Sequence, residues 1–236
     1  MNDTLKIGVV IADIDEFLPF EPYTKKYEYK EISLLSRKGV AFKLKGDKRE
    51  AEVICVVCKI GKVNAAAAAS YLIANGCNVI LNFGLSGGIS RVNRGDLVIA
   101  DRYLEHDFDL TMIGYKPCEK PGQEYIYNAN SRLLEIFSSC LEGVTVGTAV
   151  CGDRFICNEN DRNFLKETFD AVSCDMETGA IAAVCAMADV PFLALRRVSD
   201  DAGSDAESSY REMNTGGETL LADSFFVCLK AVVDQF

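Results

Sequence analysis

Compact apolar runs recur along the chain and are separated by segments with helical periodicity. The runs have the length and β-branched content of buried strands, and they cover Leu5–Ala12, Glu52–Cys58, Val79–Asn82, Leu97–Ala100, Val144–Val150 and Phe192–Val198. Apolar residues at three- and four-residue spacing predict helices over Ala65–Ala74, Ser131–Leu141, Asp161–Glu167, Glu177–Ala188 and Glu212–Val233. Strands that alternate with helices predict an α/β fold. No repeat or linker divides the sequence, so we expect a single domain over residues 1–236.

Acidic residues stand where the last two predicted strands end. A buried strand from Val172 ends near Asp175 and Glu177, a small-residue helix follows, and a second apolar strand ends at Asp200. An α/β fold gathers strand ends along one rim of its sheet, so these carboxylates are candidates for chemistry. For Asp175, capping of the following helix is the more frequent role of such an acid. Half-buried Glu177 and Asp200 need a partner, and a ligand is one candidate.

The first predicted strand is also followed by acids, at Asp13, Asp15 and Glu16. Capping of a short helix explains each of them, taken alone, as well as chemistry does. The recurrence of acids at strand ends nevertheless makes Glu16 a further candidate.

The composition limits the possible partners. The formal net charge of −10 argues against nucleic acid and against an anionic membrane surface, both of which require a basic protein surface. A small neutral or cationic ligand fits better. The ten cysteines lie scattered in apolar segments, which is typical of reduced, buried thiols, and no signal peptide or membrane span is evident. We therefore expect a soluble, cytoplasmic protein.

Three patterns that suggest a cofactor, a metal or a catalytic triad lack the necessary context. The glycines of Gly84–Gly88 do not match G-x-G-x-x-G and precede no helical pattern, which favours a turn between strands. Cys55 and Cys58 lie three apart on a predicted strand and face opposite sides, so they cannot clip a metal together. His106 is the only histidine, and a hydrogen-bonded structural role suits it better than a triad.

Two polar segments are predicted to be irregular. Thr111–Asn128 is rich in glycine, proline and tyrosine, which indicates a long loop near a binding site. Asp205–Arg211 is polar, and we expect it to be mobile.

Several landmarks fall in a recognisable order over nearly the whole length. They are Lys6-Ile-Gly8-Val with Glu16, Gly61-Lys-Val-Asn-Ala-Ala, Gly87-Gly88 with Gly95-Asp96, His106-Asp107, Gly114-Tyr115, Gly152-Asp-Arg-Phe155-Ile156, Asp175-Met176-Glu177 and Arg196-Arg-Val-Ser199-Asp200. In this order the chain resembles the 5′-methylthioadenosine/S-adenosylhomocysteine nucleosidases of the purine and uridine phosphorylase superfamily. The resemblance implies a three-layer, nucleoside phosphorylase-like fold, a mixed sheet flanked by helices, with hydrolysis of a purine nucleoside.

The resemblance also implies roles for individual residues. Glu16 would activate the attacking water, Glu177 would hold the ribose, and Asp200 would protonate N7 of the purine. The other substrate-binding positions that it implies are Phe155 and Ile156 at the base, Met176 and Arg196 at the ribose, Tyr115 in the 5′ pocket, and Asp175, Ser199, Gly87 and Tyr210. Tyr210 would reach into the pocket of a neighbouring subunit, which implies a homodimer. No cofactor or metal is implied.

This chemistry sets requirements on the three acids. Cleavage of the N-glycosidic bond leaves positive charge on the ribosyl ring and negative charge on the base, so one group must protonate the base and another must position water. Asp200 then needs a raised pKa, whereas Glu16 must be ionised to act as a base.

The chain departs from the family pattern at Leu85, Asp13 and Asp175, where the family usually has Ser, Met and Glu. These changes leave the preferred base and 5′ substituent open.

Two rival functions are considered: a phosphate-dependent purine nucleoside phosphorylase, and a nucleoside-binding sensor without turnover. Acids after the first strand and Asn82, where superfamily phosphorylases place arginines, favour hydrolysis.

Overall fold

A ten-stranded mixed sheet forms the centre of the protein, which a computed structural model describes over residues 5–34, 36–215 and 219–236. The strands are β1 (Lys6–Ile11), β2 (Tyr29–Leu34), β3 (Arg37–Lys45), β4 (Glu50–Val57), β5 (Val79–Gly88), β6 (Leu97–Glu105), β7 (Ile126–Asn128), β8 (Thr145–Cys151), β9 (Ala171–Asp175) and β10 (Phe192–Asp200). Their order is β10-β6-β8-β9-β5-β1-β4-β3-β2, with β7 paired to β6. Parallel and antiparallel pairs both occur, which confirms the mixed sheet.

Five of the strands close into a ring, because β10 also pairs with β5. The long strand β5 runs parallel to β10 and then pairs antiparallel with β9 through Gly87 and Gly88. The register places Gly87 beside both Asp200 of β10 and Cys174 of β9. Closure of the ring therefore brings the ends of three strands to one point.

Helices cover both faces of the sheet. They are α1 (Ile14–Phe17), α2 (Glu21–Thr24), α3 (Lys62–Ala74), α4 (Ser131–Cys140), α5 (Glu159–Phe169), α6 (Thr178–Met187), α7 (Ala206–Thr215) and α8 (Leu220–Gln235). On one face α8 buries Phe225 against Phe83 of β5, with ring centroids 4.4 Å apart. On the other face, α3 and α6 bury alanines such as Ala69 and Ala182, whose small side chains let the helices lie close to the strands.

The structure differs from the pattern-based predictions at four places. Residues 83–88 continue strand β5 instead of forming a turn. Gly87 and Gly88 pair with β9, and glycines are tolerated at a point where a strand changes its pairing partner. The segment Asp205–Arg211 belongs largely to helix α7, and the closing helix begins at Leu220 instead of Glu212. The predicted loop Thr111–Asn128 contains a short 3₁₀ helix, Thr111–Ile113, and strand β7.

All ten cysteines are free thiols, and most are buried. Across the described ranges, no helix is both long and apolar enough to cross a bilayer.

Candidate active site

A cavity of about 280 Å³ opens where β1, β5, β9 and β10 end. Its lining within the described part of the chain is Ala12, Asp13, Glu16, Ile60, Leu85, Ser86, Gly87, Arg154, Phe155, Ile156, Cys174, Asp175, Met176, Glu177, Ser199, Asp200 and Tyr210. The strand ends that carry acids in the sequence thus meet at one site. Five of these lining side chains are carboxylates, and Arg154 is the cation among them.

The carboxylate of Glu16 is held by two backbone N–H donors. Glu16 Oε1 accepts from Leu85 N at 2.7 Å, and Oε2 accepts from Asp13 N at 3.2 Å. Asp13 in turn caps α1, so Glu16 also completes a capping box. Burial raises the pKa of Glu16 to about 7, although the Arg196 guanidinium and the Leu85 N–H favour the ionised form. Burial thus favours the protonated form of Glu16, whereas the expectation from the sequence was an ionised base.

Arg196 lies behind the cavity, where its guanidinium contacts two carboxylates and a backbone carbonyl. Its Nη2 atom is 3.5 Å from Glu177 Oε2 and 3.5 Å from Asp175 Oδ1, and its Nη1 donates to the Leu85 carbonyl at 3.1 Å. The absence of a side chain at Gly84 permits this arrangement, because a Cβ there would lie 2.5 Å from Arg196 Nη1 and 2.8 Å from Glu16 Oε1. The guanidinium thus links the two sides of the site without lining the cavity.

Glu177 lies at the N-cap position of α6 and is buried. Its Oε1 atom accepts the Gly61 N–H at 3.0 Å. Burial raises the pKa of Glu177, the nearby Arg196 opposes that rise, and the Asp175 carboxylate adds to it. Asp175 also lines the cavity, but it accepts from Glu177 N at 2.9 Å and from Thr178 N at 2.8 Å through Oδ1, and from the Thr178 hydroxyl at 2.7 Å through Oδ2. These contacts match the capping role considered for Asp175.

Asp200 is buried and paired with a hydroxyl. Its Oδ2 atom lies 2.6 Å from Ser199 Oγ, and Oδ1 accepts from Ala202 N at 2.9 Å. Burial raises the pKa of Asp200, although the hydrogen bonds from Ser199 and Ala202 oppose the rise. The Ser199 hydroxyl also lies 3.2 Å from the Ser86 carbonyl oxygen. Because a hydroxyl can both donate and accept, Ser199 has a partner for either protonation state of Asp200.

Aromatic and apolar side chains form the remaining wall. Phe155 and Tyr210 meet edge to face, with ring centroids 5.7 Å apart. Tyr210 lies on α7 and lines the cavity of its own chain, and its entry into the pocket of a neighbouring subunit stays a prediction. Ile156 is buried beside Phe155, and Met176 is half-buried. Phe155 itself is 44% exposed, so a flat, apolar ligand could cover it.

Two of the predicted substrate-binding residues, Arg196 and Tyr115, do not line the cavity. Arg196 reaches the site only through the two carboxylates described above. Tyr115 follows the 3₁₀ helix and is 36% exposed outside the cavity, because the loop that carries it runs along the surface. The role of Tyr115 in the 5′ pocket therefore stays a prediction.

A family model described as "Phosphorylase superfamily" matches residues 6–234. The chain belongs to this superfamily. A 5′-methylthioadenosine/S-adenosylhomocysteine nucleosidase of Tolumonas auensis is 31% identical over 88% of this chain and 91% of its own length. An aminodeoxyfutalosine nucleosidase of Campylobacter jejuni is 30% identical over the same shares. The crystal structure of S-adenosylhomocysteine nucleosidase from Streptococcus pyogenes with 5-methylthiotubericidin superposes with a TM-score of 0.87, at 26% identity over 98% of both chains.

Within this superfamily fold, sequence reasoning missed several backbone contributions. The N–H groups of Gly61 and Leu85 hold the carboxylates of Glu177 and Glu16. Gly61 stands inside a recognised motif, so its position was a usable signal, whereas nothing in the sequence indicates the contact made by Leu85. Ser86 and Cys174 also line the cavity.

His106 is not hydrogen-bonded through Nε2 to any described residue, although that atom is buried. It packs against Gly152, where a Cβ would lie 2.5 Å from Nε2. The hydrogen bond predicted for His106 is thus absent at Nε2, and this atom packs against the backbone instead.

Proposed function

We propose that the chain hydrolyses the N-glycosidic bond of an adenine nucleoside with a 5′-thioether, releasing adenine and the free thiosugar. One observation carries this proposal. Asp200 and Glu16, two buried carboxyls with raised pKa values, line the same cavity, and Glu177 lines it as well. Such a set can supply a proton to a leaving base and remove one from water without a metal.

Asp200 is proposed to be the acid that protonates N7 of the leaving purine. A neutral carboxyl in this position is favoured by burial. After it gives up its proton, the carboxylate is stabilised by the Ala202 N–H and by the Ser199 hydroxyl, which can then donate to Oδ2. Asp200 therefore has hydrogen-bond partners before and after the transfer.

Glu16 and Glu177 are proposed to act at the sugar. The ionised form of Glu16 accepts a proton from the attacking water, and its two N–H donors fix the direction of the carboxylate. Glu177 binds ribose hydroxyls, and this contact strengthens as the ring becomes cationic in the transition state. Phe155, Ile156 and Tyr210 supply the apolar surface on which the adenine would rest.

The charge of the cavity disfavours phosphate as the nucleophile. Arg196 is neutralised by two carboxylates, and Arg154 pairs with Asp161. A phosphate dianion placed beside Glu16 would meet like charge and no unengaged arginine among the described residues that surround the site. Neutral water meets no such penalty.

Adenine release from a panel of nucleosides tests the substrate. We expect turnover of methylthioadenosine and adenosylhomocysteine, slower turnover of adenosine and none of inosine, because the relatives are named for thio-substituted adenine nucleosides. The Campylobacter relative makes aminodeoxyfutalosine a further member of the panel. Tight binding by calorimetry with turnover of none of these compounds would instead favour the nucleoside-binding sensor.

We also propose that two copies of the chain form a homodimer. Met112 is 95% exposed and Ile113 70% exposed, both beside Tyr115, and such apolar side chains on one short loop suit a protein interface. Light scattering after gel filtration should give twice the chain mass of 25.8 kDa, and Met112→Asp should shift the protein toward the monomer. A single-chain mass for the unaltered protein would contradict the dimer.

A further inference from the structure

Three motif residues without an assigned role meet at the N-terminus of α3. Lys62 comes from the motif that begins at Gly61, Asp107 follows His106, and Asp153 follows Gly152. The Lys62 backbone N–H donates to Asp153 Oδ1 at 2.8 Å, and the Asp153 N–H donates to Asp107 Oδ2 at 2.9 Å. Lys62 Nζ donates to Asp107 Oδ1 at 2.6 Å, so each of the three residues contacts the other two. We call these three residues the α3 bracket.

The bracket supplies a cap that α3 lacks. The N-cap residue of α3 is Gly61, which has no side chain to accept a hydrogen bond from the first turn. Asp153, from the loop after β8, accepts the Lys62 N–H in its place. Gly61 has φ of 102°, a conformation that favours glycine, and a Cβ there would lie 3.1 Å from Asp153 Oδ1.

A hydrogen bond joins the same helix end to the active site. The Gly61 N–H, one residue before the capped Lys62 N–H, donates to Glu177 Oε1 at 3.0 Å. The direction of the Gly61 N–H depends on how the first turn of α3 is fixed. It is one of the contacts that orient the Glu177 carboxylate, together with Arg196 Nη2 at 3.5 Å and the Met176 backbone N–H.

We propose that Asp153 is a positioning residue, which acts through the α3 bracket to hold the Gly61 N–H on the carboxylate of Glu177. This inference rests on the proposed role of Glu177 at the ribose. Loss of the Asp153 acceptor lets the first turn of α3 move, and Glu177 then loses its alignment with the sugar. Because that contact strengthens in the transition state, the loss falls mainly on kcat.

Asp153→Ala should lower kcat by about 10²-fold, the size of effect that a misplacement of roughly 1 Å produces, with a much smaller change in KM. Asp153→Asn keeps an acceptor oxygen and should retain most of the activity. Asp234→Ala is the matched control, because Asp234 also accepts backbone N–H groups, from Asp47 at 3.0 Å and Lys48 at 2.9 Å, at a turn that does not line the cavity. Unchanged kcat in Asp153→Ala, or an equal loss in the Asn variant, would overturn the proposal.

The rate of hydrogen–deuterium exchange at the Gly61 amide tests the α3 bracket independently of catalytic activity. We expect faster exchange in Asp153→Ala than in the unaltered protein, Asp153→Asn or Asp234→Ala. Equal exchange in all four proteins would overturn the bracket even if the unaltered protein proved inactive. An inactive unaltered protein with faster exchange in Asp153→Ala would refute the proposed function and leave the bracket supported.

Discussion

Asp200→Asn is expected to lower kcat for adenine release by about 10²–10⁴-fold, the contribution typical of general acid catalysis. The amide can still accept the Ala202 N–H, as Asp200 Oδ1 does at 2.9 Å, so the local structure should persist. It has no acidic proton to give to the leaving adenine. The loss should therefore appear in kcat, with binding of the nucleoside largely retained, and steady-state assays at several pH values will measure it.

The neighbouring residue offers a matched control. Asp201 is exposed, and its Oδ1 accepts the Gly203 N–H at 3.0 Å. Asp201→Asn makes the same chemical change one residue away, and because the Asp201 charge contributes less than burial to the raised pKa of Asp200, kcat should change far less than in Asp200→Asn. If Asp200→Asn turned over at a rate near that of Asp201→Asn, Asp200 could not be the acid.

Glu16→Gln is expected to lower kcat/KM by a similar factor of about 10²–10⁴. The amide cannot accept a proton from water at any accessible pH. In the unaltered protein the pKa of Glu16 is about 7, so kcat/KM should rise as the pH increases through about 7. The rise should be absent from the residual activity of the variant. Asp15→Asn, one residue before Glu16 and outside the cavity lining, is the control.

The same pKa predicts how stability responds to pH. A carboxyl whose folded pKa is raised from 4.5 to about 7 contributes stability that is fully present below 4.5 and is lost as the pH rises through about 7. Glu16→Gln removes the ionised form, so its thermal midpoint should not fall below that of the unaltered protein at pH 8. A large drop there would mean that lost activity reflects damage to the fold.

The positions of the acids were predictable from the sequence, because each follows an apolar run that reads as a buried strand. Glu16, Glu177 and Asp200 all line one cavity as the alternation of strands and helices implies. The ring closure was not predictable. Pairing of β5 with both β9 and β10 is long-range, and Gly87-Gly88 reads locally as a turn.

The electrostatic state of the site was only partly predictable. A dry surrounding for Asp200 follows from the apolar strand before it, and burial does raise its pKa. The raised pKa of Glu16 depends instead on burial by the folded chain, which outweighs the opposing effects of Arg196 and the Leu85 N–H. The helical conformation of most of Asp205–Arg211 was not predicted, because the segment is polar, and α7 brings the Tyr210 side chain to the cavity of its own chain.

Comparison of the rate and the sugar product with and without inorganic phosphate tests the central claim most directly. Methylthioadenosine is the substrate, and adenine release is followed in phosphate and in a non-nucleophilic buffer of equal pH and ionic strength. In the proposed function Glu16 directs a water molecule, and the cavity offers phosphate no unengaged arginine among the described residues. Hydrolysis predicts equal rates and free methylthioribose in both buffers. A rate proportional to phosphate, with a sugar 1-phosphate as product, would contradict the account.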